Sequence, residues 1–412
     1  MAHDATFVHG TAEAVARRSY GKLVAFLAAR TRDVAGAEDA LAEAFTTALQ
    51  AWPASGVPAN PEAWLLTVAR RKLIDEVRHR RTGEGAAAHL ALLAELAGEE
   101  ASDGAIPDER LALMFACAHP ALEAGIRAPL ILQTILGFDA TTIASAFLIS
   151  PATMGQRLVR AKSRIRQAGI PFGVPARADL RERLDAVLEA VYAAYAEGWA
   201  DPTGADARRR NLADEAIWLG RLLASLLPGE PEALGLLSLM LHAHARRHAR
   251  RDAQGAYVPL TQQDPARWDA ALIDEAEALL QRTGALRGVG RYQLEAAVQS
   301  AHAVRRRTGQ TDWAAIERLY EGLWALTASP VVAINRAIAV AESRGPQAGL
   351  AALDALAGEA RLQEYQPYWA ARAGLLARTG ATVAADAAYE RAIGLERDPA
   401  VRQFLQRRRD AL

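Results

Sequence analysis

Hydrophobic residues recur along this chain mostly every three or four positions, and short polar or proline-rich segments separate the runs. This spacing is typical of helices that bury one face. It predicts an all-α protein. In the first 170 residues the predicted helices cover residues 11–30, 35–52, 64–81, 108–118, 126–136, 140–147 and 151–167.

The helix over 35–52 combines an apolar stripe with an acidic face. Leu41 belongs to the stripe, together with alanines and a phenylalanine at helical spacing. Glu38, Asp39 and Glu43 lie in its first turns, where carboxylates are favourable to the helix dipole. This acidic face is either solvated or a docking surface.

The helix from Trp64 to Arg81 has two faces of opposite character. Asn60 is a plausible N-cap for it, before a proline at the first helical position. The face predicted to be buried carries Leu66, Ala69, Leu73 and Val77. The other face groups an indole with cations, which suits a phosphate backbone and an unstacked base. The alternative is a solvated basic face with Trp64 in the core. The polar face includes Trp64, Arg71, Lys72, Arg78, His79, Arg80 and Arg81.

Residues 83–107 are rich in glycine, alanine and acids and are predicted to be a flexible linker, with one short helix near residues 89–96. After them, the helices at 140–147 and 151–167 have the spacing of a helix-turn-helix. Ser150 and Pro151 supply its N-cap and first-turn proline. Leu148 stands in the turn where glycine is usual, so a plain helical hairpin remains the alternative.

The second helix of this pair carries polar residues opposite its buried stripe. In a major groove, arginine reads guanine and glutamine reads adenine. The candidate groove contacts are Thr153, Gln156, Arg157, Arg160, Lys162 and Arg164.

Charge is zero overall but unevenly distributed. Residues 64–81 carry net +4 and residues 126–170 net +5, whereas residues 83–125 carry net −7. From residue 171 onward the charges balance, 30 against 30. The pattern indicates local polyanion binding by two basic modules.

Composition and motifs argue against several classes of protein. The 412 residues suggest two to four domains, and one cysteine among them excludes an internal disulfide and a cysteine-cluster zinc site. We find no secretion signal and no membrane-length apolar run, which predicts a cytoplasmic protein. His244 and His248 have metal-ligand spacing, but arginines crowd them. Cys117 and His119 lack an orienting third group, and no nucleotide-binding motif is present. We therefore expect no metal, no cofactor and no catalysis.

Residues 11–168 resemble an extracytoplasmic-function (ECF) sigma factor, a bacterial RNA polymerase subunit made of two helical domains on a flexible linker. The segment AEDALAEAF (37–45) is similar to the family's docking segment for the polymerase clamp helices. The segment AWLLTVARRKLIDEVRHRR (63–81) is similar to the one that captures and melts the minus-ten promoter element. The hairpin at 137–167 is similar to the minus-thirty-five reader.

The resemblance implies promoter DNA and core RNA polymerase as partners. It implies minus-ten contacts at Asn60, Trp64, Arg71, Lys72, Arg78, His79, Arg80 and Arg81. It implies minus-thirty-five contacts at Thr153, Gln156, Arg157, Arg160, Lys162 and Arg164. Polymerase contacts are implied at Glu38, Asp39, Leu41 and Glu43.

After residue 170 the sequence predicts a long helical extension. GIPFGVP, YAAYAEGWA, LGLLSLMLHAHARR and QQDPARWD resemble sigma factors whose extension ends in tetratricopeptide-like repeats. Residues 369–392 fit such a repeat, with Gly345 standing 35 residues before Gly380. The repeat positions are Trp369, Ala373, Leu376, Gly380, Ala385, Tyr389 and Ala392. A plain helical bundle is the alternative.

The sequence thus predicts four segments. They are a region 2 domain at 1–82, an acidic linker at 83–107, a region 4 helix-turn-helix domain at 108–170 and an extension at 171–412 with repeats near 313–412. We expect a non-catalytic initiation factor whose repeats bind a protein or dock on the chain itself. Two alternatives are a helix-turn-helix regulator that works without polymerase and a tetratricopeptide-like scaffold.

Overall fold

The computed structural model describes residues 5–79, 108–146, 149–200, 212–286 and 288–412. Across these ranges the chain forms nineteen α-helices and no strand, which confirms the predicted all-α fold. The predicted linker at 83–107, its short helix and Leu148 lie outside the described residues.

The chain divides into two compact units, Met1–Ala216 and Ile217–Leu412. All seven helices predicted between residues 11 and 167 are present in the first unit, with ends shifted by a few positions. Its helices are α1 (Ala5–Thr31), α2 (Val34–Ser55), α3 (Pro61–His79), α4 (Arg110–Cys117), α5 (Ala124–Leu136), α6 (Ala140–Ala146), α7 (Pro151–Gln167) and α8 (Arg177–Ala200).

The helices of the first unit pack on one another around buried apolar side chains. α1, α2 and α3 contact one another, and Leu23, Leu27, Leu41 and Trp52 are completely buried among them. α1 also packs on α4 and α5, and α2 packs on α7. The region 2 and region 4 modules predicted from the sequence are therefore in direct contact.

Helix α8 belongs to the first unit. It packs against α4 and α5, and the Arg183 guanidinium donates to the backbone carbonyl of Phe115. Its apolar face, which includes Val187 and Leu188, is buried. Residues 177–200 were predicted to be part of the extension, and in the structure they pack with the helices of the first unit.

The second unit consists of helices that pack on their neighbours in the chain, such as α10 on α11 and α12, α14 on α15, and α17 on α18. Helix α9 (Leu212–Leu226) leads into it. The others are α10 (Pro231–Ala245), α11 (Ala270–Gly284), α12 (Arg291–Ala303), α13 (Arg305–Thr308), α14 (Trp313–Thr327), α15 (Pro330–Arg344), α16 (Pro346–Asp354), α17 (Gln366–Arg378), α18 (Thr382–Leu395) and α19 (Pro399–Asp410).

The predicted helix pair at 369–392 is present as α17 and α18. Ala373, Leu376, Ala385, Tyr389 and Ala392 lie in one buried cluster, with Trp369 packed against it. Gly380 turns the chain between the two helices at φ 78°, a value that favours glycine. The large and small residues therefore interlock as their spacing predicted.

None of the described helices is both long and apolar enough to cross a lipid bilayer.

Candidate nucleic-acid interface

Helix α3 begins at the cap predicted for it. The Asn60 side-chain oxygen accepts a hydrogen bond from the Ala63 backbone N–H at 3.1 Å. Leu66, Ala69 and Leu73 are buried, as their spacing predicted. The cap and the buried stripe together fix which face α3 shows to solvent.

The Trp64 side chain lies between the exposed face of α3 and the core. Its ring meets the buried Trp52 ring edge-on, with centroids 5.5 Å apart and planes at 63°. Trp64 itself is only partly buried. An edge-to-face contact of this kind holds an indole in place, and the rest of the ring remains available to stack on a base.

The cations of α3 have different surroundings. Arg71 is exposed and, among the described residues, pairs with no acidic side chain. Lys72 is held by Glu43 of α2, with Nζ 2.7 Å from Oε2. Arg78 and His79 belong to α3, but their side chains lie outside the described part, as do Arg80 and Arg81 entirely. Of the predicted DNA contacts on α3 whose side chains are described, Arg71 is therefore the cation best placed to contact a phosphate.

Helix α7 also begins as predicted. The Ser150 Oγ accepts from the Thr153 backbone N–H at 3.2 Å. Met154, Leu158, Ala161 and Ile165 form the buried stripe on one side. The polar side is exposed to solvent at Thr153, Gln156, Arg160 and Arg164.

Three cations of α7 are engaged in ion pairs. Arg157 lies 3.3 Å from Glu123, which precedes α5 in the same module. Lys162 and Arg166 instead reach α2 of the other module. Lys162 Nζ bonds to Glu38 Oε2, and Arg166 bonds to Asp33 Oδ2 at 2.9 Å. Lys162 therefore faces a carboxylate of this chain, away from the open polar side of α7.

The acidic face of α2 is thus partly covered. Asp33 caps α2 by accepting from the Gly36 N–H at 3.1 Å while it also holds Arg166. Burial raises the pKa of Glu38, and the neighbouring Lys162 opposes that shift. Asp39 and Glu43 are exposed. Leu41 is completely buried, so this predicted polymerase contact is corrected: its side chain belongs to the core.

Asp33, Glu123 and Arg166 form ion pairs around α7 that the sequence did not predict. The capping role of Asp33 could have been predicted, because an aspartate just before an amphipathic segment is a typical N-cap. The ion pair between Asp33 and Arg166 could not have been predicted from local sequence, since 133 positions separate the two residues.

The histidines and the cysteine that could suggest a metal site or catalysis are placed as packing or capping residues. His242 is buried, and burial together with Arg246 lowers its pKa to about 3. Cys117 is buried near Thr134, and burial raises its thiol pKa to about 12. His119 Nδ1 accepts from the Ala121 backbone N–H at 3.1 Å. Throughout the described ranges, no group of three His, Cys, Asp or Glu side chains is arranged to hold a metal ion.

Comparison with known proteins identifies two regions of the chain. Residues 15–82, which span most of α1 through α3, match the family described as Sigma-70 region 2. Residues 183–284 match a family of unknown function (DUF6596). An uncharacterized protein of Rhizobium meliloti (strain 1021) is 42% identical over 382 residues, covering 91% of this chain and 90% of the relative. No solved structure matches the chain.

Proposed function

The chain belongs to the same family as the Rhizobium meliloti protein and carries a sigma-70 region 2, and from this premise we propose that it is an ECF-type sigma factor. In this proposal it binds core RNA polymerase in the cytoplasm, recognises a promoter through two helical modules and melts the minus-ten element. Its long extension, with tetratricopeptide-like repeats, regulates this activity.

The observation that carries the proposal is the surface of α3 inside the region 2 match. Trp64 is held by Trp52 at its edge, and the exposed Arg71 lies two turns further along the helix. A ring for an unstacked base beside a cation for the phosphate backbone suits melted DNA better than intact duplex. Promoter opening is therefore assigned to α3.

The second module supplies duplex reading. Ser150 caps α7, whose exposed Gln156 and Arg160 are of the residue types that read adenine and guanine in a major groove. We assign the minus-thirty-five element to this helix. The same observation favours the second candidate, a helix-turn-helix regulator that binds duplex DNA without polymerase.

Reconstituted run-off transcription with core polymerase tests the proposal. We expect specific initiation only when the chain and core polymerase are both present. The variant Arg71→Ala should lose one phosphate contact and flatten the slope of log affinity against log salt by roughly one unit. Arg181→Ala, which removes an exposed arginine of α8, is the matched control and should leave the slope unchanged.

Two results would contradict the proposal. Tight, specific binding of duplex by the free protein, with no added effect of core polymerase, would favour the regulator. Absence of DNA binding with and without polymerase would favour a tetratricopeptide-like scaffold.

A further inference from the structure

An apolar side chain stands on the solvent side of helix α7. Val159 is 65% exposed, although its exposed neighbours Gln156 and Arg160 are polar. The stripe that α7 buries, from Met154 to Ile165, lies on the other side. Val159 is not among the groove contacts predicted from the sequence, which are all polar.

The helix neighbours of Val159 leave its isopropyl group uncovered. Residues three and four positions apart adjoin on a helix surface, which places Gly155 before Val159 and Ser163 after it. Glycine has no side chain and serine has a short one, so neither shields the two methyl groups. Of the longer neighbours, Gln156 is itself exposed and Lys162 is held by a carboxylate of α2.

The stability of α7 does not explain Gly155 and Val159. Both glycine and valine are less favourable than alanine inside a helix. Packing does not require the glycine, because a Cβ at position 155 would lie 3.9 Å from the Ala140 Cβ, an ordinary van der Waals distance. Single exposed apolar side chains are common on proteins, so the argument for a function of Val159 depends on where it lies.

Val159 lies where a recognition helix meets base edges. Ser150 caps α7, and Gln156 and Arg160 on its solvent side are the candidate base contacts. At 3.6 residues per turn, Val159 is only about 60° around the helix from Gln156. The two side chains therefore enter a major groove together.

Among the base edges of the major groove, an apolar side chain suits thymine. Thymine presents its C5 methyl group there, whereas the other bases present chiefly hydrogen-bond donors and acceptors. Valine could not bond to those groups, and covering them would remove their water without replacement. Contact between the valine and thymine methyl groups instead removes apolar surface from water, which is favourable.

We propose that Val159 contacts the methyl group of a thymine in the minus-thirty-five element and makes the chain prefer thymine at that position. The inference rests on the proposed function, which assigns this element to α7. It adds an apolar contact to the polar ones and requires that the element contain an A·T pair whose thymine faces α7.

Deoxyuridine substitution tests this contact, because it removes only the C5 methyl group and retains the pairing and hydrogen-bonding edges of thymine. The probe is the promoter duplex that the full-length chain and core polymerase transcribe best from a randomised library. Each thymine of its upstream element is replaced singly by deoxyuridine. We expect one replacement to weaken binding of the wild-type complex with polymerase by roughly three- to fivefold, the effect of burying about one methyl group.

Two alanine variants assign the effect to a residue. Val159→Ala should bind the thymine and deoxyuridine duplexes alike, with the affinity that the wild type has for deoxyuridine. Val174→Ala is the matched control, since it removes another exposed valine, 53% exposed, beyond the end of α7. It should retain the full wild-type difference between the two duplexes. Circular dichroism confirms that both variants are folded.

The outcomes distinguish this inference from the proposed function. Equal binding of thymine and deoxyuridine duplexes by the wild type at every position overturns the inference and leaves the proposed function intact. A methyl effect that persists in Val159→Ala also overturns it, because another residue then reads the methyl group.

The remaining outcomes concern polymerase. If core polymerase gives no initiation but the free chain selects a duplex, the proposed function falls alone, and the same comparison on that duplex decides for or against Val159. Absence of DNA binding with and without polymerase overturns both.

Discussion

A buried histidine, His242, and a partly buried one, His302, make the second unit sensitive to acid. Burial and the charge of Arg246 lower the pKa of His242 from 6.5 to about 3. Burial, Arg246 and Arg305 lower the pKa of His302 to about 4. Both rings are therefore neutral in the folded protein, while the unfolded chain takes up protons near pH 6.5. The contribution of the two histidines to the free energy of unfolding is fully present above pH 6.5. It declines as the pH falls towards the pKa values of the folded protein.

We expect the free energy of unfolding to fall between pH 6.5 and about 4. Each neutral histidine contributes about 1.4 kcal/mol per pH unit to this slope. His242→Leu should reduce the slope by that amount, because leucine fills the site and takes up no proton. Urea unfolding at a series of pH values measures it. A slope identical to wild type would mean that His242 titrates alike in both states.

A second residue-scale prediction concerns sequence reading by α7. Arg160 is exposed and Arg157 is held by Glu123, so Arg160 is the better placed to touch a base edge. Arg160→Ala should relax the preference at one base pair and cost about 1–3 kcal/mol. Arg157→Ala should have the smaller effect. Transcription from a promoter library measures both, and unchanged base preferences in the two variants would refute the assignment of α7.

At the scale of elements, local sequence patterns predicted helix caps and buried faces, whereas contacts between helices far apart in the chain could not be predicted. Ser150 and Asn60 were identified as caps because a cap and its partner lie three positions apart. The buried stripe from Met154 to Ile165 was predicted from the helical spacing of its apolar residues alone. The bond between Lys162 and Glu38 joins residues 124 positions apart, and nothing in either helix marks the other.

Helix α8 gives the element-scale prediction. It buries Leu184, Val187, Leu188 and Val191 in the first unit. A chain ending at Gly169 lacks this helix and should lose several kcal/mol of stability, since each fully buried large apolar side chain contributes about 1.5–3 kcal/mol. A chain ending at residue 205 retains the helix and serves as the control. Chemical unfolding followed by circular dichroism compares the two, and equal stability would show that α8 is dispensable to the unit.

For the whole molecule, the question is what the second unit does for the first. The DUF6596 match begins at residue 183, inside α8, and continues to residue 284. The matched region therefore includes a helix that packs on the sigma-like module. A regulatory role requires that the extension stabilise one state of this module more than another.

We expect the chain ending at residue 205 and the full-length chain to differ in promoter output with core polymerase. Output rises on truncation if the extension inhibits, and falls if the extension helps to engage polymerase. Run-off transcription at equal concentrations of folded protein measures the difference. Equal output across conditions would leave the extension without control over initiation.

The glycine at the crossing of α1 and α5 has a consequence for comparing related chains. Because a methyl group on Gly21 would lie 2.2 Å from the Ile135 carbonyl oxygen, position 21 limits side-chain size wherever α1 and α5 cross at this distance. Homologues with glycine at this position can share the close approach of α1 to α5. In a homologue with alanine or a larger residue, the backbones of α1 and α5 must shift at this crossing, so the residue type at position 21 distinguishes the two kinds of packing.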